Sequence, residues 1–316
     1  MPVDQPTAAF LKALGETRRS PLWETPLAES RANMAAASAR LGVAPAAVGH
    51  IADYQVGSPR GPIAIRVYTP GGGTGTPAGA LLHFHGGGYV LGSLDSHDSL
   101  ARHYCAHVGA VVISVDYHLA PEHRFPAQLH DAYAALAWVV DQASVLGVAP
   151  ARIGVTGDSA GGNLAAALCL YTRAHGGPDL RCQALLYPAT DYRDGVIYPS
   201  RDEFGSGEYF LSAGDMDWFR AQHLADVQTQ AADPLASPMA APDLSGLPPA
   251  LVTTSGFDPL RDQGRAYAER LRAAGVPVTE RCFDSTIHAC ASFAGAIPAG
   301  LEMLDYASHW LRAHLV

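Results

Sequence analysis

From residue 80 onward the chain alternates short, continuous apolar runs with segments of helical length. No other feature limits the possible folds as strongly. The runs are Ala80–His85, Ala110–Asp116, Arg152–Thr156, Cys182–Tyr187, Ala250–Ser255 and Val278–Phe283. Between them lie helical patterns such as Ala127–Val140, with Leu129, Tyr133, Leu136 and Val140 at helical spacing, and Asn163–Arg173. Strand–helix alternation predicts parallel strands joined by crossover helices. Strands that are apolar throughout, rather than at every second residue, are covered on both faces. The expected class is α/β, with a mostly parallel central sheet flanked by helices.

Two regions break the rhythm. The first fifty residues read as amphipathic helix interrupted at Pro21, Pro26 and Pro45, and the alanine-rich stretch from Pro26 to Leu41 suits a helix of about four turns. Next, Ile63, Ile65 and Val67 alternate with Ala64, Arg66 and Tyr68, the pattern of a strand with one buried face. The run Gly71 to Gly79 then reads as a flexible turn between hairpin strands. The second irregular region lies between Tyr187 and Ala250, where about sixty residues replace a crossover that needs far fewer. It holds a helix-like stretch, Asp215 to Leu224, between segments rich in Gly, Pro and Asp. The expected organisation is an N-terminal helical part of a cap (1–50), a first part of the core (51–190), a cap insertion (191–235) and a second part of the core (236–316).

Composition serves mainly to exclude. Thirty acidic groups outnumber 21 basic ones, Lys12 is the one lysine, and no arginine cluster runs along any segment. Such a chain gains nothing from phosphate counterion release, so no nucleic-acid partner is expected. No apolar run approaches the ~18 residues of a membrane span. The first twenty residues, with Glu16, Arg18 and Arg19 near their end, lack an apolar signal core, which predicts a cytoplasmic protein. Cys105, Cys169, Cys182, Cys282 and Cys290 form no C-x-x-C pair. Buried free thiols are therefore expected, although Cys282 and Cys290 lie close enough in sequence to meet.

The chemistry is concentrated at two glycine clusters. Gly157-Asp158-Ser159-Ala160-Gly161 is a G-x-S-x-G placed between a predicted strand and a predicted helix. In that context the turn is sharp enough to strain the serine and expose its hydroxyl, and residues two positions either side must lack bulk. The second cluster, His85-Gly86-Gly87-Gly88, ends the strand Ala80–His85. Its bare backbone lets N–H groups approach a substrate oxygen, so Gly86 and Gly87, with Ala160 after the serine, are the expected oxyanion donors.

A nucleophilic serine needs a base, and the base an orienting carboxylate, in the chain order serine, acid, histidine. Five histidines follow Ser159: His175, His223, His288, His309 and His314. His288 alone sits just past a predicted strand, where a loop can return it to the serine. For the acid, Asp258 leaves the strand Ala250–Ser255 directly, whereas Asp262 falls at the start of the next helix and suits a cap or first-turn charge. Asp258 is the chosen acid and Asp262 the alternative. Glu122 is read as tying its loop rather than reacting. His83 and His85, and the pair His103 and His107, resemble metal ligands, but neither pair has the further acids a metallohydrolase motif supplies. They are read as surface or satisfied core histidines, and no metal or other cofactor is expected.

The ordered set of HGGG, Asp116-Tyr117-His118-Leu119-Ala120-Pro121-Glu122, GDSAGGN, DPLRD and a late histidine resembles the bacterial hormone-sensitive-lipase family of esterases. The resemblance covers nearly the whole chain from Ile51. It implies an α/β-hydrolase fold with a two-part helical cap, Ser159 as nucleophile, His288 as base, Asp258 as acid, and the Gly86, Gly87 and Ala160 amides as oxyanion donors. It implies a small-molecule ester substrate, short- to medium-chain or aryl, and a homodimer. The same triad serves amide or peptide hydrolysis, and a non-catalytic binding protein on this fold is the reading from another class, against which the complete triad argues. One departure stands out. The family places glycine and then an aromatic after the histidine, whereas Ala289 and Cys290 follow His288 here. The missing ring is expected to open pocket volume beside the base.

Overall fold

The computed structural model describes residues 2–16, 20–72 and 78–316. Eight strands form one sheet: β1 (His50–Ser58), β2 (Gly61–Thr69), β3 (Ala78–Phe84), β4 (Val111–Asp116), β5 (Val148–Asp158), β6 (Cys182–Leu186), β7 (Ala250–Phe257) and β8 (Val278–Ile287). Their spatial order is β1-β2-β4-β3-β5-β6-β7-β8. The pairs β1/β2 and β2/β4 are antiparallel, and all pairs from β4/β3 to β7/β8 are parallel. Burial explains the sequence texture. Every residue of β6 is buried, as is β3 after its first residue, while β2 buries Ile63, Ile65 and Val67 on one face.

The longer helices are α1 (Gln5–Glu16), α2 (Leu27–Leu41), α3 (Asp98–Val108), α4 (Ala127–Asp141), α5 (Ala160–His175), α6 (Ala213–His223), α7 (Arg261–Ala273) and α8 (Pro298–Leu315). Adjacent residues of one strand feed different cores, because successive side chains point to opposite faces. Leu82, Ile113 and Val155 pack with Leu136 of α4, Leu164 and Leu168 of α5, and Tyr267 and Leu271 of α7. Leu81, Val112 and Leu186 pack with Leu100 and Tyr104 of α3 and with Met303, Leu304 and Leu311 of α8.

One expectation fails. Gly71–Gly79 does not join hairpin partners, because β4 lies between β2 and β3, and the hairpin is β1–β2, closed at Pro59–Arg60. Residues 73–77 of that run lie outside the described residues. Local alternation marked β2 as a strand but carried no information about which neighbour it pairs with. Among the described residues no helix is long and apolar enough to cross a membrane. All five thiols are free, four of them buried and Cys282 half-buried.

The strand order reverses at β3, which has β4 on one side and β5 on the other. Loops at the carboxyl ends of strands diverge at such a switch point and leave a crevice, where ligands of open α/β sheets bind. The HGGG segment follows β3 and Ser159 follows β5, so the two glycine clusters flank this crevice.

Candidate active site

The tight turn between β5 and α5 is enforced by close backbone contacts. A Cβ on Gly157 would fall 2.3 Å from the Gly161 carbonyl, and one on Gly161 would fall 2.0 Å from the Phe84 carbonyl oxygen. Between these glycines Ser159 adopts φ 55° and ψ −117°, a conformation that L-residues rarely hold. Its amide donates to the Leu186 carbonyl at 2.9 Å, which pins the turn to the end of β6.

Register brings the acid to the base. Phe257 pairs with Ile287 at the carboxyl ends of β7 and β8, so the next residues, Asp258 and His288, leave the sheet side by side. Asp258 Oδ2 lies 2.8 Å from His288 Nδ1, and His288 Nε2 lies 2.9 Å from Ser159 Oγ. The other Asp258 oxygen accepts the Leu260 amide at 2.8 Å. Asp258 and His288 are buried and Ser159 is half-buried, so the acid–base pair is shielded from water while the hydroxyl stays reachable. An acceptor-only carboxylate on Nδ1 fixes the proton there and leaves Nε2 to accept from the serine hydroxyl.

The alternative acid is engaged elsewhere. Asp262 accepts the Ser200 amide at 2.9 Å and the Arg261 Nε–H at 2.9 Å, tying the insertion between β6 and β7 to the start of α7. Glu122 also has a tying role. Its carboxylate receives both Nη groups of Arg31 from α2 at 2.8 Å, while Arg31 also donates to the Val90 and Ala120 carbonyls.

The oxyanion loop corrects the sequence reading at Gly86. Its amide is already committed, donating to Asp158 Oδ1 at 2.9 Å. A Cβ there would come within 2.4 Å of the same carboxylate. The amides of Gly87, Gly88 and Ala160 donate to no protein acceptor among the described residues. Asp158 is buried between the two glycine clusters. Burial is the largest single influence and opposes its charge, but the surrounding imidazoles of His97 (Nε2 3.4 Å away), His83 and His85 together draw the carboxyl down to about 2. His83 and His85 are core residues, each pushed down to about 3 by burial and by His97.

Asn163, in the first turn of α5, was not singled out in the sequence, although it closes the GDSAGGN string. It accepts the Tyr89 hydroxyl at 2.6 Å and donates to the Ala189 and Ala236 carbonyls, joining oxyanion loop, serine turn and insertion. The one available signal was a polar residue at a position that the helical pattern places inside.

Position 290 also departs from expectation. Cys290 is fully buried, with Sγ 3.7 Å from Ser255 Oγ and 4.0 Å from Met303 Sδ of α8. Its side chain points into the core beneath the sheet, so the missing ring opens no pocket volume through that position. Ala289 has φ 61° and ψ 18°, left-handed backbone that explains why glycine is the usual residue there.

Above the loop, Val90, Leu91 and Ala120 pack with Leu22, Leu27 and Met34 from the N-terminal segment and with Trp218 and Phe219 of α6. The Phe219 ring lies against bare backbone, where a Cβ on Gly88 would be 2.2 Å from it.

A family model described as alpha/beta hydrolase fold matches residues 81–292, which span the oxyanion loop, the serine turn, Asp258 and His288. The chain belongs to the hormone-sensitive-lipase-like α/β-hydrolases. It is 45% identical over 273 residues to carboxylic ester hydrolase LipN of Mycobacterium tuberculosis, covering 84% of this chain and 70% of that protein. It is 40% identical over 255 residues to an ethyl acetate hydrolase of Pseudomonas putida, covering 79% and 78%. A hyperthermophilic esterase from the archaeon Pyrobaculum calidifontis superimposes with a TM-score of 0.93 at 37% identity, covering 99% of each chain.

Proposed function

We propose that this α/β-hydrolase is a serine carboxylesterase acting on short- to medium-chain or aryl esters through an acyl-enzyme on Ser159. The observation that carries this reading is the continuous relay Asp258–His288–Ser159 beneath a strained turn, with unengaged amides on the facing loop. Ser159 Oγ attacks the ester carbonyl as His288 Nε2 takes its proton. The tetrahedral oxyanion is held by the amides of Gly87 and Ala160, and Gly88 supplies a further free amide. His288 then returns the proton to the leaving alcohol, and water activated by His288 releases the acid. No step needs a metal or redox group.

The N-terminal helices and the insertion act as the cap. Phe219 and Trp218 pack against the oxyanion loop, in keeping with the pocket of limited depth that the family resemblance implies. A p-nitrophenyl ester series is expected to give its highest kcat/KM at short to medium acyl chains and to decline for long ones. A matched acetyl ester and acetanilide separate the chemistries: the ester should turn over far faster, and preference for the anilide would overturn the reading in favour of an amidase.

Asp158 is assigned as a positioning residue, because its carboxylate fixes Gly86 and thereby sets the direction of the Gly87 amide. Asp158→Ala is expected to lower kcat/KM by about 10- to 100-fold, less than the ~10²–10³-fold loss of a whole oxyanion donor. The loss should fall mainly on kcat, and Asp158→Asn, which keeps an oxygen acceptor, should recover part of it. Equal losses in both variants would show that charge, not loop placement, is what matters.

A further inference from the structure

His103 and His107 lie four residues apart on α3, which puts both imidazoles on one helix face. Their rings stack with centroids 4.0 Å apart at 20°. Helix α8 packs on α3 through the core that joins Leu100, Tyr104 and Val108 to Met303, Leu304 and Leu311, and it delivers Asp305 to the same spot. Asp305 Oδ1 is 3.1 Å from His103 Nε2. One donor atom from each of the three residues lies within 4.8 Å of the other two.

The protonation pattern is set by geometry. His107 Nδ1 is 2.9 Å from the His103 carbonyl, which only accepts, so Nδ1 carries the proton and the Nε2 lone pair is free. Anchoring the remote ring nitrogen on a backbone carbonyl is how metal-binding histidines are usually oriented. His103 Nε2 is sealed from solvent, and its polar neighbour, Asp305 Oδ1 at 3.1 Å, is poorly aligned for a hydrogen bond. A buried polar atom that lacks a well-formed hydrogen bond is costly. A cation held between the three groups would satisfy it, and it would compensate the exposed Asp305 carboxylate as well.

We propose that His103, His107 and Asp305 form a binding site for a late first-row divalent ion, Zn²⁺ foremost. Two imidazoles and one carboxylate are donors this ion accepts, with water completing a tetrahedral shell. The site lies in the helix layer rather than on the loops that carry Ser159, Asp258 and His288. Its role is therefore structural: the ion would staple the C-terminal helix α8 to α3.

The test uses the full-length protein after chelator treatment, with Zn²⁺ followed by calorimetry and thermal denaturation and Co²⁺ by its visible absorption. The wild type is expected to bind one ion per chain, to show tetrahedral Co²⁺ bands and to melt at a higher temperature with Zn²⁺. His107→Ala alters an exposed side chain and keeps the His103–Asp305 pair, and Asp305→Asn keeps the shape of the site. Each should weaken binding at least about tenfold, the lower end of what even an outer-shell partner contributes. Both should keep wild-type ester hydrolysis without added metal. Absence of binding to the wild type would overturn the proposal, as would binding that neither substitution weakens.

Discussion

Replacing Ser159 with alanine is expected to abolish ester hydrolysis, lowering kcat by roughly a million-fold, towards what the oxyanion donors and substrate binding provide alone. The size of the loss follows from the geometry. Ser159 Oγ is the atom within 2.9 Å of His288 Nε2, so its removal leaves the base with no hydroxyl to activate. Water can occupy the space, but it lacks the strained turn that presents the oxygen to a bound carbonyl. The fold should survive, because the alanine Cβ occupies the serine position and the pinning contact to Leu186 uses the backbone amide. The measurement is turnover of a p-nitrophenyl ester together with labelling by a fluorophosphonate probe. Wild type should carry one adduct on Ser159 and the variant none. A variant that keeps a few per cent of activity, or is labelled elsewhere, would sink the acyl-enzyme mechanism.

Asp258→Asn is expected to cost about 10⁴-fold in kcat, with KM little changed. The side chain is isosteric and Leu260 can still donate to its oxygen, so the structural effect should be small. What changes is the partner of His288 Nδ1. A carboxylate only accepts, and so holds the proton on that nitrogen; an amide can turn its NH₂ towards the ring and force the other tautomer. Nε2 then carries the proton and cannot take one from Ser159. The missing negative charge also leaves the imidazolium of the transition state uncompensated in a buried site. Asp262→Asn is the discriminating control. Its carboxylate serves Ser200 and Arg261, so its loss should stay within about tenfold and appear mainly as lowered stability. Reversal of these two results would move the acid to Asp262.

Much of this site is legible in the chain because its chemistry is carried by residues whose types are dictated locally. Gly157 and Gly161 are required by contacts of the serine turn with itself and with Phe84, so they mark the turn whatever surrounds it. Continuous apolar runs marked the parallel strands because those strands are buried on both faces. Once strands and chain order were known, few residues remained that could be acid and base. His288 qualified by following a strand, and Asp258 was preferred to Asp262 for leaving its strand directly.

What the linear chain left open depended on who meets whom across long separations. The pairing of β2 with β4 instead of β3 has no local signature, since alternation shows that one face is buried but not the edge partner. The inward direction of Cys290 was equally hidden, because only packing against Met303 on a helix thirteen residues later decides it. Gly86 shows the same division most plainly. Three successive glycines announce a loop of exposed amides, but which of them are free depends on Asp158, 72 residues away and in the next parallel strand. Sequence determined the strands, the serine turn and the triad candidates, because local sterics and burial dictate those residue types. Tertiary structure alone decided which amides are left without a protein acceptor, which carboxylate meets His288 and where Asp305 joins two histidines, because hydrogen bonds and donor clusters form only where the sheet and its helices bring distant residues together.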